Sequence, residues 1–222
     1  MQPIITYIPN SSWGDKLHKA ALAARLCYSS NRPLKPMDEH EEIALIRRVL
    51  QKGHMSILEH CEATFLIEKV SRNFTHQLVR HRHMAFSQQS LHYTVATDNF
   101  EIAEGHRDHW ENCKKSVFKV YKQMIHLGVK PEQARHILPS GIETKILVTA
   151  NLRQWLQFLD VRLCATNCTE MIVVADQIKE QLEQAFPILK EFIGPKCKFG
   201  ICMEGKKYCG RKGVKVWKWK KA

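Results

Sequence analysis

Residues 60–79 read HCEATFLIEKVSRNFTHQLV. His60 to Glu68 partly alternates between polar and apolar side chains, as a strand does. From Ser71 to Val79 the period changes, and Phe74, Leu78 and Val79 fit one side of a helix. The same order returns downstream. Ile142 to Val148 reads as a strand, and Asn151 starts a helix with apolar positions Leu152, Trp155, Leu156, Leu159 and Leu163.

Around these two units the chain is mainly helical. Trp13 to Tyr28 puts Leu17, Ala20, Ala21, Ala24, Cys27 and Tyr28 on one stripe, with Ser11 or Ser12 as the cap. Asp38 to Gln51 carries Ile43, Leu45, Ile46, Val49 and Leu50, with Gly53 just past its end. Asp108 to Leu127 forms a long helix ending at Gly128, and Pro131 opens a short one. A last helix runs from Glu170 to Leu189. Phe86 to Tyr93 is polar and has no clear period. No regular βαβ rhythm connects these pieces, so the expected class is α+β, with one mixed or antiparallel central sheet flanked by helices.

The chain has 222 residues, 44% of them hydrophobic and 25% charged, which excludes a disordered polymer. No apolar run reaches the roughly 18–20 residues of a membrane helix. The opening MQPIITYIPNSSWGD lacks the order of a secretory signal. A cytoplasmic protein with eight reduced cysteines is expected. The net charge is +12, but residues 196–222 hold ten Lys or Arg and one Glu, so residues 1–195 carry only +3. The expected organisation is a catalytic domain over 1–195 and a basic tail of loops or short strands over 196–222. Such a tail reads as a solvated end. The alternation Trp217-Lys218-Trp219-Lys220 leaves a nucleic-acid-binding module as a rival reading.

The densest chemical cluster is Arg80-His81-Arg82-His83. Four such groups in a row repel one another, and an anion relieves the repulsion; guanidinium forks suit phosphate. Ser87-Gln88-Gln89-Ser90 follows, with amides and hydroxyls fit to read a pyrimidine edge or a ribose. No paired base marks Ser90 as a nucleophile. His54, Glu59, His60 and Cys61, Cys164 with Cys168, and the tail's Cys197-x4-Cys202-x6-Cys209 lack a standard four-ligand zinc spacing. Free thiols and no metal are expected. Neither a GxxxxGK[ST] nor a GxGxxG loop is present, so any nucleotide cofactor is held by side chains.

Together these segments resemble the flavin-dependent thymidylate synthases, the ThyX family. The signature is Arg80-His81-Arg82, seven residues, then Ser90. Four further blocks agree in order: Gly53-His54 with Glu59-His60; Phe74-x2-Gln77-Leu-Val-Arg80; Glu132-Gln-Ala-Arg135 with Ile-Leu-Pro139; and Asn151-Leu-Arg153 with Phe158-Leu and Arg162. The resemblance implies that dUMP is methylated to dTMP, with 5,10-methylenetetrahydrofolate as carbon donor and FAD reduced by NADPH. It implies a homotetramer with active sites at subunit interfaces. A sister activity on UMP or another uracil nucleotide is the alternative within this fold.

The resemblance also carries roles. His54, Ser56, Glu59, Arg80, His81, Arg82, Asn151, Arg153 and Gln157 match FAD-binding positions. Gln77, Arg80, Gln88, Gln89, Ser90, His92, Arg135 and Arg162 match positions that hold dUMP. Ser90 and Arg162 match the catalytic pair, with Ser90 orienting the substrate and Arg162 facing the uracil ring. The chain departs from the family's usual residues at Ala85, Thr166 and Cys168, and at His92, where an arginine usually meets the substrate phosphate.

Overall fold

Two corners, each where a strand runs straight into a helix, organise the chain. At the first, the Ser71 hydroxyl accepts the Phe74 N–H at 3.0 Å; at the second, Asn151 Oδ1 accepts the Gln154 N–H at 2.9 Å. Each side chain satisfies one of the free N–H groups at a helix start, which ends the strand and begins the helix.

A computed structural model describes residues 2–8, 13–27, 29–30, 36–100, 105–211 and 213–216. Its elements run β1 (Ile4–Ile8), α1 (Trp13–Leu26), α2 (Glu39–Gln51), β2 (Glu62–Ser71), α3 (Arg72–Leu78), β3 (Ala85–Gln88), α4 (Arg107–His126), α5 (Pro131–Ala134), β4 (Glu143–Asn151), α6 (Leu152–Arg162), α7 (Thr169–Ala185), β5 (Ile201–Cys202) and β6 (Lys215–Val216). Short 3-10 turns occupy Met55–His60, Arg135–Ile137 and Pro187–Glu191. The main sheet has the order β1-β2-β4-β3. Arg72 N–H donates to Ile142 O at one end of the β2–β4 pair, and Leu152 N–H to Cys61 O at the other. Numbers that rise on one strand fall on its partner, so this pair is antiparallel. The fold is thus α+β, with an antiparallel sheet and flanking helices.

The chain divides into two compact units. One comprises residues 1–6 and 66–148, the other 7–65 and 149–222. In the first unit, Leu91, Ala96, Phe118, Tyr121, Ala134 and Ile142 form a core, and the Tyr121 hydroxyl accepts the Ala96 N–H at 3.0 Å. In the second, Trp155 sits edge-on to Phe65 at 4.9 Å and to Phe158 at 5.7 Å. Its indole N–H donates to Ala63 O at 2.9 Å, so a fully buried Trp keeps its polar group satisfied. Helix α2 carries a complete capping box of Asp38 and Glu41.

Several expectations need correction. The stretch from Phe86, which shows no clear period, contains most of β3. Its pairing is held from afar by Gln89 N–H on Lys145 O. The last long helix stops at Ala185, not Leu189, because Pro187 disfavours helical geometry at Phe186. Strand β1 is an addition. In the tail, where loops or short strands are expected, β5 pairs with β6 in parallel. The Ser11 and Ser12 cap, Tyr28 and the Trp-Lys run from Trp217 lie outside the described residues.

Candidate active site

In the first unit, helix α3 ends at Leu78, and its last turn releases the chain through bonds from Arg80 N–H to Gln77 O and from His81 N–H to Leu78 O. The basic cluster follows as a turn. Arg80, Arg82 and His83 are exposed, and among the described residues none of them pairs with a carboxylate. His81 and Gln77 are half-buried beside them.

Strand β3 then delivers the polar run. Gln88 Nε2 donates to Thr75 Oγ1 at 3.0 Å and to Thr144 Oγ1 at 3.3 Å. Both threonines are buried, so the amide is locked from α3 on one side and β4 on the other. Its two hydrogens are engaged, which leaves its carbonyl oxygen as the group able to accept a further bond. Ser90 opens the next turn. Its hydroxyl accepts the His92 N–H at 3.2 Å, and its carbonyl accepts the Thr94 hydroxyl at 2.9 Å. No imidazole hydrogen-bonds to Ser90 among the described residues.

Two arginines from different elements sit near each other here. Arg72 Nη2 donates to Gln89 O at 2.9 Å, while its Nε is buried without a partner among the described residues. Burial, and then the charge of Arg135, lower the Arg72 pKa from its usual value. Arg135 is fixed by its Nε on the Glu132 carbonyl at 3.1 Å. Like charges beside an unsatisfied buried donor are the chemistry of an anion site. His92 meets Glu132 as well. Its Nε2 lies 3.2 Å from Glu132 Oε2, and its ring packs edge-on to Tyr93 at 4.5 Å.

In the second unit, Gly53 takes a φ of +82° after α2, and His54 leaves that bend exposed. Ser56 and Glu59 follow on the 3-10 turn and line a groove with Leu22, Leu26 and His60. Glu59 forms an ion pair with Arg153, the second residue of α6. Arg153 and Gln157 line a separate cleft of about 810 Å³, with Met55, Leu156, Phe192 and Phe199 as apolar walls. Asn151 is the cap of α6, which commits its oxygen to the backbone. Arg162 is on the last turn of the same helix. Its Nη1 donates to Asn167 Oδ1 at 3.2 Å, while Asn167 Nδ2 donates to the Val161 and Cys164 carbonyls. Burial lowers the Arg162 pKa, and the nearby Cys168 partly restores it.

The expected site residues therefore fall into two groups. Gln77, Arg80, His81, Arg82, Gln88, Gln89, Ser90, His92 and Arg135 belong to the first unit; His54, Ser56, Glu59, Asn151, Arg153, Gln157 and Arg162 belong to the second. Sequence reasoning passed over Arg72, Thr75, Glu132, Thr144 and Asn167. The alternation of β4 carries the signal for Thr144, since it puts a hydroxyl among the apolar positions of a buried face.

The family profile described as "Thymidylate synthase complementing protein" matches residues 10–188. A flavin-dependent thymidylate synthase of Geobacter sulfurreducens is 35% identical, over 86% of this chain and 88% of that protein. One of Pyrococcus furiosus is 37% identical, over 79% and 78%. One of Clostridium tetani is 32% identical, over 94% and 92%. Among solved structures, a UMP/dUMP methylase of Streptomyces cacaoi bound with 5-Br dUMP superposes with a TM-score of 0.71, at 21% identity, covering 86% of this chain and 93% of that one. At that identity the superposition speaks for the fold. The profile and the curated relatives carry the assignment, and on them this chain belongs to the flavin-dependent thymidylate synthase family.

Proposed function

We propose that this enzyme converts dUMP to dTMP, taking the carbon from 5,10-methylenetetrahydrofolate and the reducing equivalents from NADPH by way of FAD. The observation that carries the nucleotide half is the pair Arg72 and Arg135, with the buried, unpartnered Arg72 Nε between turn and strand. A phosphate dianion offers the acceptors and the charge that this arrangement lacks. Gln88, with its hydrogens committed, presents a carbonyl to an N–H such as that of uracil N3. Ser90 orients the nucleotide by hydrogen bonding. Arg162 supports the ring: a cation beside its carbonyl stabilises negative charge as C5 becomes nucleophilic.

The donor set also fits a flavin dinucleotide. Arg80 and Arg82 are exposed cations without carboxylate partners among the described residues, as a diphosphate requires. Arg153 and Gln157 give a polar edge to a cleft walled by Met55, Leu156, Phe192 and Phe199, which suits a large planar ring. We assign FAD binding to these residues with His54, Ser56, Glu59, His81 and Asn151. When bound, the flavin supplies the reducing equivalents of the methyl transfer.

We take residues 1–195 as the catalytic domain and 196–222 as an appendage, and the active form as a cytoplasmic homotetramer whose subunits share their active sites. The profile match to residues 10–188 supports the first boundary. No helix among the described residues is long and apolar enough to cross a membrane.

The test is the visible spectrum of the purified protein, bleaching by NADPH, and tritium release from C5-labelled dUMP and UMP. A flavin spectrum with release from dUMP supports the proposal. Release from UMP alone moves the substrate to the ribonucleotide. Colourless protein with steeply salt-dependent oligonucleotide binding replaces the proposal with a nucleic-acid-binding module. Arg162→Ala is expected to keep fold and flavin and lose turnover.

A further inference from the structure

The cleft of Arg153 and Gln157 has a wall beyond the stretch that the family profile matches. That match stops at residue 188, whereas Phe192, Lys196, Phe199, Ile201 and Met203 all line the cleft. From Lys196 onward these residues belong to the basic tail, and the whole lining falls in the second compact unit. Phe199 is 52% exposed, Ile201 40% and Met203 43%. Large apolar side chains left open around one hollow mark a surface that something covers. The backbone sorts them by alternation. Ile201 and Met203 line the cleft, while Cys202 between them is buried and lines a smaller cavity of about 230 Å³.

Lys198 fastens the tail at this place. It ends a 3-10 turn, Lys196–Lys198, and its N–H donates to Pro195 O at 2.7 Å. Its side chain then crosses the buried Gly194, where an added Cβ would run into Lys198 Cδ. Glycine leaves the room for that crossing. The ammonium donates to Ile193 O at 2.7 Å and stands over the Phe199 ring, 5.2 Å from its centre. A cation held by a backbone carbonyl and set over an aromatic face fixes where that ring sits.

We infer, resting on the assignment of Arg153 and Gln157 to FAD, that the first part of the tail is a wall of the flavin site. Phe199, Ile201 and Met203 position a planar ring of the cofactor, and Lys198 positions Phe199. The lining suits an anionic molecule that carries a flat ring. Arg153 and Lys196 supply two cations against the single carboxylate of Asp160, which Lys196 offsets. An apolar segment covering the cleft would bury those charges without partners, which is costly. A dinucleotide meets both features, with its ring on the apolar wall and its phosphates toward the cations. Gln157 adds an amide that both donates and accepts at a ring edge. The volume of about 810 Å³ lies within the usual span of ligand clefts.

The experiment uses the full chain stripped of flavin, with FAD alone as probe. Binding is followed by FAD fluorescence, and the visible spectrum of the bound form is recorded. Phe199→Ala is expected to weaken the Kd for FAD by about tenfold, the order that loss of an aromatic platform under a ring brings. Phe199→Trp is expected to hold FAD, to quench its emission further and to perturb its visible bands, because an electron-rich indole then packs on the flavin. Lys198→Met keeps the stem and removes the ammonium, and is expected to weaken binding by about threefold. Lys198→Arg restores it. Lys207→Met, at an exposed position outside the cleft, changes nothing. Phe199 and Lys198 are exposed, so the Tm of the flavin-free protein stays that of the parent in every variant. If Arg153→Ala loses FAD while the Phe199→Ala and Lys198→Met proteins bind it as the parent does, the cleft stands and the wall is overturned. A parent that takes up no FAD overturns cleft and wall together. A Phe199→Trp spectrum identical to the parent's overturns the contact with the ring. Unchanged FAD affinity in Phe199→Ala with an altered oligomeric state makes the wall a contact between copies and overturns the inference as well.

Discussion

His92 Nε2 lies 3.2 Å from Glu132 Oε2. At the position where the family resemblance implies an arginine, this chain has an imidazole that already faces a carboxylate. The Glu132 carboxylate and an incoming phosphate then compete for one imidazole N–H. Both side chains are partly exposed, so the pair is worth about 0.2–1 kcal/mol. His92→Arg supplies enough donors for both partners and is expected to tighten dUMP binding by about threefold to fivefold. Glu132→Gln is expected to tighten it in the same direction by removing the competitor. Titration of the FAD-loaded protein with dUMP checks both. Unchanged affinity in both variants separates His92 from the phosphate.

Thr144→Val tests the lock on Gln88. Valine keeps the shape of the buried side chain and removes the 3.3 Å bond to Gln88 Nε2. A net hydrogen bond of this kind contributes about 1 kcal/mol, and a chain of this size loses roughly 2–4 °C of Tm for it. The KM for dUMP is expected to rise more than kcat falls, because the amide is free to turn. A lower Tm with an unchanged KM would show that Gln88 does not read the substrate.

The sequence made the local parts of this arrangement legible and left out the distant ones. The helix starts at Ser71 and Asn151 were readable as local changes of period, and each cap lies only three residues from the N–H it accepts. The capping box of α2 was equally local. Strand β3 was not, since its four residues alternate weakly and its partner strand begins more than fifty positions later. Gln88 was recognised as a site residue, but Thr75, which helps to orient it, carries no mark of that role in the sequence, and Thr144 carries only its place among the apolar positions of β4. His92 was singled out as the departure from the family, and only the fold brings Glu132 to it. The cysteines of the tail were judged on spacing alone, and only the fold places Cys164 beside the cavity that Cys197, Cys202 and Cys209 also line.

Arg153 and Glu59 are joined in an ion pair, and both are assigned to the flavin. Arg153→Ala removes a charged donor and leaves Glu59 as an uncompensated negative charge in the proposed flavin site. A charge-assisted bond of about 1.5–3 kcal/mol corresponds to roughly a tenfold to hundredfold weaker Kd for FAD. Glu59→Gln, which removes charge but keeps a hydrogen-bonding group, is expected to lose less. The flavin-to-protein absorbance ratio after dialysis measures both. Stoichiometric FAD in Arg153→Ala would remove that residue from the cofactor site.

Asp160, on α6, lines both the cleft of Arg153 and a smaller cavity beside Cys164 and Cys202. Burial raises the pKa of its carboxyl, and Lys196 offsets part of that rise. A carboxyl with a folded pKa above its unfolded one holds its proton more tightly in the native state, so ionisation subtracts stability. That loss is absent below the unfolded value near pH ~3.9 and complete once the pH exceeds the folded value. Asp160→Asn cannot ionise and escapes the loss. The variant is therefore expected to gain in Tm relative to the parent as the pH rises from about 4 toward neutrality, with the gain levelling off above the folded pKa. Thermal unfolding of both proteins across that range gives the comparison. A Tm difference independent of pH would mean that Asp160 is as well solvated in the folded chain as in the unfolded one, and that Lys196 balances its burial in full.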